Sequence, residues 1–509
     1  KYLNDLIFIL PIILVLLYKI NLKISFKKII LCSFFAAIIS TITMSYDNVY
    51  RPDAGLYHLP FISLINDQKI IIGLSNLHFR FGHTSIFQYL SGSFNNHIFG
   101  DNGILIPHGL VFSFIILYLI KFIFKEQNNI KFFIAFLFLI FIFFRMNRYS
   151  SFGNDAPSHF YFLFLIILSL DWKKHIDEYY NFFNKISLVA VFIFFNKITM
   201  LFSLLIPVYF LINKKFLTIY KNKFFLIICF IFFSWILKNI LISGCIIFPV
   251  EQSCIKNLSW FDKSETRRSN AKSGRIENEA WTKGAPNQTT KSFEEYIETY
   301  EWIVVWKKHH GKKILEKVTP FLVFTFFLFL YILIFGRRKN LDYKALIKQE
   351  KIFIYFLIIL NLLGSIMWFL KFPVFRYGYG YLISFFSLAF SSLIFKFFNP
   401  DLELLKKGTK YIILIFFIGL LAKNSIRISD NLNEKYSAWP SIYSDTKNNE
   451  RFDNIPFSLN NEILLYAPKQ SMCYYSKLNP CSHLINFEFY PKQLNFKKVN
   501  GYKKYSFIK

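Results

Sequence analysis

Carboxylates are scarce in this sequence: 31 Asp and Glu stand against 60 Lys and Arg in 509 residues, for a formal charge of +29. With 54% of the chain hydrophobic and 66 Phe residues, no single water-facing globule could hide so much apolar surface. A bilayer is therefore required. The positive charge does not read as a nucleic-acid footprint, because Lys and Arg come in short clusters between hydrophobic runs, the distribution of orientation signals in a membrane. No cleavable signal peptide is recognisable. No internal repeat of the kind found in many transporters is visible either.

What is present is a series of long apolar runs. A bilayer-spanning helix needs ~20 mostly apolar residues, and about a dozen predicted spans of that kind or slightly shorter lie near 3–20, 28–45, 103–124, 130–144, 157–171, 183–196, 198–213, 223–242, 318–336, 352–370, 378–398 and 410–424. The pair meeting at Asn196-Lys197 reads either as two short spans or as one long tilted helix. Alternate connections are rich in base: Lys19 to Lys28, Lys121 to Lys131, Lys173 to Lys185, Lys214 to Lys223, Arg337 to Lys339 and Lys406 to Lys410. By the positive-inside rule these are cytoplasmic. The alternation holds without exception if Asn196-Lys197 is a turn, which favours the split.

The outer side then holds the loop 46–102, the connection 145–158, the Asn196-Lys197 turn, the loop 243–317, the connection 371–377 and the tail 425–509. Cysteine is rare, with 6 in all. Cys245 and Cys254 bracket one outer segment and Cys473 and Cys481 another, a pattern open either to two local disulfides on an oxidising side or to free thiols. Within 243–317, Trp302 and Trp306 precede a run of Lys, predicting a helix on the membrane surface. The tail reads as a small α/β or β-rich appendage, which divides the chain into a transmembrane domain, 1–424, and a small C-terminal domain, 425–509.

The first outer loop collects the chemistry. In "YRPDAGLYHLPFI", Asp53 and Tyr57 are four residues apart and share a helix face, with His58 beside them. In "IIGLSNLHFRFGHTSIFQYLSG", Asn76, His78, Arg80 and His83 are interleaved with apolar residues at spacings that predict a short amphipathic helix in the interface. Such a set could hold a metal and a phosphate, or could be an interfacial helix with snorkelling polar tips. Asp155 in "FGNDAPSH" is a second outer carboxylate or a helix cap. Lys197 and Arg376 face the same side at span ends, where charge either serves a function or anchors headgroups.

"DAGLYHLPFI", "GLSNLHFRFGHTS", "FGNDAPSHFYFLFL", "NKITMLFSLLIP", "KNILISGCIIFPV", "KFPVFRYGYGYL" and "MCYYSKLNPCSHL" together resemble an uncharacterised family of bacterial multi-spanning proteins, themselves similar to GT-C glycosyltransferases. The resemblance implies an all-α polytopic fold of the bacterial inner membrane whose functional face is extracytoplasmic. It implies transfer of a sugar from a polyprenyl-linked phosphate donor to a cell-envelope glycan or lipid acceptor. Asp53 occupies the position of the acidic residue that serves as catalytic base or binds a divalent cation such as Mg or Mn, with Asp47 as the only nearby second carboxylate. Tyr57, His58, His78, Arg80, Asp155, Lys197 and Arg376 are then expected to contact substrate. This chain departs from the usual pattern by having two predicted spans before that loop rather than one. The alternative function is a transporter or flippase of lipid-linked glycans, which needs no chemistry at Asp53.

Overall fold

The structure is a computed structural model that describes residues 53–67, 70–83, 85–145, 153–172, 179–213, 222–264, 270–284, 291–335, 337–338, 348–432, 454–459, 463–469, 472–475, 478–483, 496–499 and 504–507. The expected spans 3–20 and 28–45, with Asp47, lie outside the described residues. Elsewhere the helices follow the apolar runs. They are α1 (Leu59–Asp67), α2 (Ile86–Phe94), α3 (Ile106–Lys125), α4 (Asn129–Arg145), α5 (Asp155–Leu170), α6 (Tyr179–Asn196), α7 (Leu205–Asn213) and α8 (Lys223–Ser243). There follow α9 (Ala271–Thr282), α10 (Phe293–Glu298), α11 (Trp302–Trp306), α12 (Lys312–Phe335), α13 (Lys348–Lys371), α14 (Phe375–Phe397) and α15 (Leu402–Leu432).

Among the described residues, six helices are long and apolar enough to cross a membrane: Gly100–Lys125, Lys223–Ser243, Trp302–Ile334, Gln349–Lys371, Phe375–Phe397 and Leu402–Asp430. Asp155–Leu170 and Ile198–Ile212 are shorter apolar helices. The architecture is that of a largely helical, polytopic membrane protein. At its centre runs α4, where Phe132 to Ile142 are all essentially buried. A helix apolar on every side must be enclosed by other helices, and α4 packs against α3, α5, α12, α14 and α15.

The two ends of the bundle differ in chemistry. At one end Lys131 opens α4 and pairs with Glu350 of α13 at 3.1 Å. There too Asn129 donates to the Pro400 carbonyl at 3.2 Å, and β1 (Arg337–Arg338) pairs antiparallel with β2 (Phe398–Asn399). The opposite end carries the N-termini of α5 and α14 and the C-terminus of α6. It is covered by the loops.

Two sequence expectations change here, and one open alternative closes on the favoured side. The segment from Ile71 does not form one amphipathic helix: Gly73 takes a left-handed φ of 68° and the chain makes two 3-10 turns, Leu74–Asn76 and Phe79–Gly82. Only then does α2 begin, at a Ser85/Gln88 capping box. Trp302 and Trp306 do not belong to a separate surface helix. A π turn over Lys307–Gly311 carries α11 directly into α12, Trp302 is buried, and Trp306 Nε1 donates to the Pro373 carbonyl at 2.5 Å. The backbone stays helical through Gly311 by widening to the π turn, and no proline interrupts it between Trp306 and Lys312. The Asn196-Lys197 ambiguity resolves as a break: α6 stops at Asn196 and a 3-10 segment, Ile198–Leu204, leads into α7.

The tail is β-rich, with β3 (Asn454–Leu459) paired antiparallel to β4 (Ile463–Pro468) and β5 (Phe496–Val499) to β6 (Lys504–Phe507). Cys473 is joined to Cys481, and Cys245 to Cys254 in the other loop. The tail is packed onto the first loop rather than standing apart from it. Leu465 and Ala467 enter the apolar cluster of Phe61, Leu77 and Phe81, and Tyr474 donates its N–H to the Gly55 carbonyl at 2.9 Å. A Cβ at position 55 would meet Met472 Sδ and the Tyr474 ring at 2.9 Å, so glycine permits this approach. Tyr475 Oη takes the Asn95 amide at 2.5 Å and the Asn66 amide at 3.4 Å. Tyr475→Phe removes that acceptor and should destabilise the protein by ~1–2 kcal/mol, read as a lower melting temperature and faster proteolytic release of the tail. An unchanged melting temperature would show that this junction contributes nothing to the fold.

Candidate functional site

Four charged side chains from four separate segments meet at the loop-covered end. Asp53 precedes a π-helical turn, Ala54–His58, that runs into α1. Asp155 is the first residue of α5, Lys197 follows the last of α6, and Arg376 is the second of α14. Arg376 Nη1 donates to Asp53 Oδ2 at 2.6 Å, and its Nε lies 3.7 Å from Asp155 Oδ2. The other Asp155 oxygen accepts from Lys197 Nζ. Tyr377 closes the group: Arg376 Nη2 donates to its hydroxyl at 3.1 Å, and Lys197 Nζ lies 4.2 Å from its ring centroid. Arg376 and Asp53 side chains remain 47% and 35% exposed, so the tips of the cluster are reachable while Lys197, 8% exposed, is sealed in.

Local structure explains the convergence. Asn154 Nδ2 donates to the Asn196 carbonyl at 2.9 Å, and Asn196 Nδ2 donates back to the Asn154 carbonyl at 3.1 Å and to Ser158 Oγ at 2.7 Å. Ser85, the cap of α2, donates to the same Asn196 side chain. These bonds hold the end of α6 against the start of α5. Lys197 is thereby delivered to Asp155.

The remaining expected residues separate into two groups. Tyr57, His58 and Arg80 stand behind Asp53: the Tyr57 and His58 rings are 4.3 Å apart, and the Arg80 guanidinium lies 5.6 Å from the Tyr57 ring centroid and 4.8 Å from that of Phe79. Among the described residues Arg80 pairs with no carboxylate, and it is the cation the cluster leaves over. His58 is buried with its Nδ1 3.1 Å from Gln88 Nε2. His78 does not join the charged group. It is buried, its Nδ1 accepts the Arg80 backbone N–H at 3.1 Å, and its ring packs on Phe79, Phe81 and His483. Its role is to cap the 3-10 turn that presents Arg80. Two participants escaped the sequence reading, Tyr377 and His159. His159 is four residues after Asp155, a spacing that places both on one helix face and could have revealed it.

The electrostatics follow from these contacts. Burial alone would raise the Asp53 carboxyl, but Arg376, His58 and Arg80 together outweigh it and hold Asp53 below the usual carboxylate range. Burial pushes His58 down to about 4, and raises the Tyr57 phenol well above its ordinary range, with Asp53 adding to the effect. A divalent cation fits poorly between Asp53 and Asp155, because the Arg376 guanidinium already lies between them. No group of three or more His, Cys, Asp or Glu among the described residues could hold a metal.

Residues 3–383 match the family model described as a domain of unknown function, DUF8201. The chain belongs to the DUF8201 family. No curated protein and no solved structure matches it. All four charged residues of the cluster fall inside the DUF8201 match, whereas the tail that packs on Gly55 lies beyond it.

The pH response can be signed. Since His58 sits at about 4 in the fold against an ordinary 6.5, the unfolded chain takes up this proton first as pH falls. The stabilisation from neutral His58 is complete above 6.5 and is lost between 6.5 and about 4. Asp53, held low, adds a loss in the same direction at lower pH. The melting temperature in detergent should therefore drop on acidification from neutrality to pH 4, and His58→Gln should remove a component on the order of 3 kcal/mol. A His58→Gln protein with the same acid slope as wild type would refute the buried neutral imidazole.

Proposed function

We propose that the chain is a GT-C-like membrane glycosyltransferase that takes a sugar from a polyprenyl-linked phosphate donor and passes it to a cell-envelope acceptor on the outer face of a bacterial inner membrane. The observation that carries this reading is the meeting of Asp53 with Arg376, beside the carboxylate-free Arg80, at the end of the bundle remote from the Lys131–Glu350 pair. Base, phosphate-binding cations and a half-open approach then occupy one place.

In this reading Asp53 removes the proton from an acceptor hydroxyl, and that oxygen attacks the anomeric carbon from the face opposite the donor phosphate. The bond from anomeric carbon to phosphate oxygen breaks, and its electron pair leaves on the phosphate. Arg80 and Arg376 stabilise the charge developing there. Lys197 pairs with one Asp155 oxygen while Arg376 Nε stays 3.7 Å from the other, so Lys197 carries part of the neutralisation of Asp155 and Arg376 is shared between the two carboxylates. The charged groups stand at helix ends rather than at the midplane, which supports an enzyme over a flippase.

The test is transfer of labelled sugar from polyprenyl-linked donors in membranes. Asp53→Asn keeps size and hydrogen bonding but loses the charge, so transfer should fall ~10²-fold or more at normal expression. Arg80→Ala should cost roughly ten- to a hundredfold, part of it in donor affinity. Asp47→Asn is the control, and full activity in Asp53→Asn with loss in Asp47→Asn would move the base to the other carboxylate. Cysteine labelling should also find 214–223 and 337–351 inside and 46–102, 243–317 and 425–509 outside. A cytoplasmic 46–102 would end the reading.

A further inference from the structure

The backbone that carries Arg376 is held by an imidazole with no exposed surface. His159 of α5 has Nε2 2.9 Å from the Arg376 carbonyl oxygen, and its Nδ1 takes the Gly380 N–H at 3.3 Å. A carbonyl on one side and an N–H on the other fix the tautomer: the proton is on Nε2, which donates, and Nδ1 accepts. One ring thus binds both ends of a single turn of α14. The Tyr379 ring packs against it at a tilt, with ring centroids 4.0 Å apart. A Cβ at position 380 would lie 2.5 Å from Nδ1, so glycine is what admits the ring. The same carbonyl receives Lys197 Nζ at 3.4 Å. The face of α5 that offers Asp155 to the guanidinium therefore also offers His159 to the carbonyl of the same arginine.

We propose that His159 is a positioning residue of the charged cluster, fixing the first turn of α14 so that the Arg376 guanidinium reaches Asp53 and Asp155 together. The alignment of Arg376 stands on geometry alone; its consequence for sugar transfer rests on the function proposed above. Without the imidazole, the first turn can rotate and the guanidinium leaves one carboxylate or both.

The experiment reads Arg376 directly. In full-length protein purified in detergent, phenylglyoxal modification of the guanidinium is followed at Arg376 by peptide mass mapping. In wild type the group is shielded by Asp53 and Tyr377. His159→Phe fills the space without either nitrogen, loses both hydrogen bonds, and should raise the Arg376 rate about fivefold or more, at least the scale of one net hydrogen bond. His159→Gln can donate from Nε2 and accept at Oε1, and should stay within about twofold of wild type. Gly380→Ala keeps every polar group but crowds Nδ1, and should behave like His159→Phe. Where His159→Phe does not insert, Gly380→Ala and His159→Asn carry the same comparison. A purely structural role would lower the melting temperature of all the variants without changing the Arg376 rate, and would overturn the proposal. So would a Gln variant as reactive as the Phe variant. Labelling that follows this pattern in a protein with no transfer activity would leave His159 in place and defeat only the enzymatic reading.

Discussion

A guanidinium shared by two carboxylates is the contact on which this end of the bundle depends. Charge at the edge of a low-dielectric bundle is costly unless it is paired and hydrogen-bonded. Arg376 meets Asp53 and Asp155 at once, so its guanidinium ties the loop turn, α5 and α14 to one point. Lys197 extends the same logic to α6. With two cations for two anions the group is close to neutral. Taking away Arg376 would leave two carboxylates facing one lysine.

Around this pairing lies a shell that has no charge of its own. The reciprocal Asn154 and Asn196 amides, the Ser85 hydroxyl and the His159 ring all act on backbone or on side-chain amides, and each fixes where one helix begins or ends. Support comes from behind, through buried groups, while Arg376 and Asp53 are left half-exposed in front. An arrangement that is rigid at the back and wet at the front suits exchange of partners with a ligand better than it suits pure stabilisation, because the exposed pair itself contributes little to stability.

How much of this the sequence discloses depends on the range of the interaction. Apolar runs disclose the helices, since length and composition are local properties, and α3 to α8 and α12 to α15 follow the runs that were legible. The break at Asn196-Lys197 was ambiguous because its cause is remote: Asn154 lies 42 residues away. The same holds for the pairing of Arg376 with Asp53, separated by 323 residues. Sequence placed both residues on one side but could not say that they neutralise each other. His78 and His58 are the same residue type in the same loop, both expected at the substrate, and only packing makes one a backbone cap and leaves the other beside Tyr57. The run through Trp302 misled because its Trp and Lys fit a surface helix as well as the first turns of a span, and the π turn over Lys307–Gly311 that joins it to α12 has no local sequence signal.

The pairing also bears on how Asp53 could act as a base in the proposed reaction. A carboxylate held low by a guanidinium is a weak proton acceptor at rest, so an Asp53 that is always paired would be a poor catalyst. In that proposal a donor phosphate would change the balance, because it would compete with Asp53 for Arg376 and add its own negative charge beside the carboxylate. With the guanidinium turned to the phosphate, Asp53 would lose its counter-ion and become more basic. Basicity would thus appear only when donor is in place. The Asp53–Arg376 ion pair is then compatible with a catalytic Asp53, and Arg80 would meet the phosphate without competition from any carboxylate among the described residues.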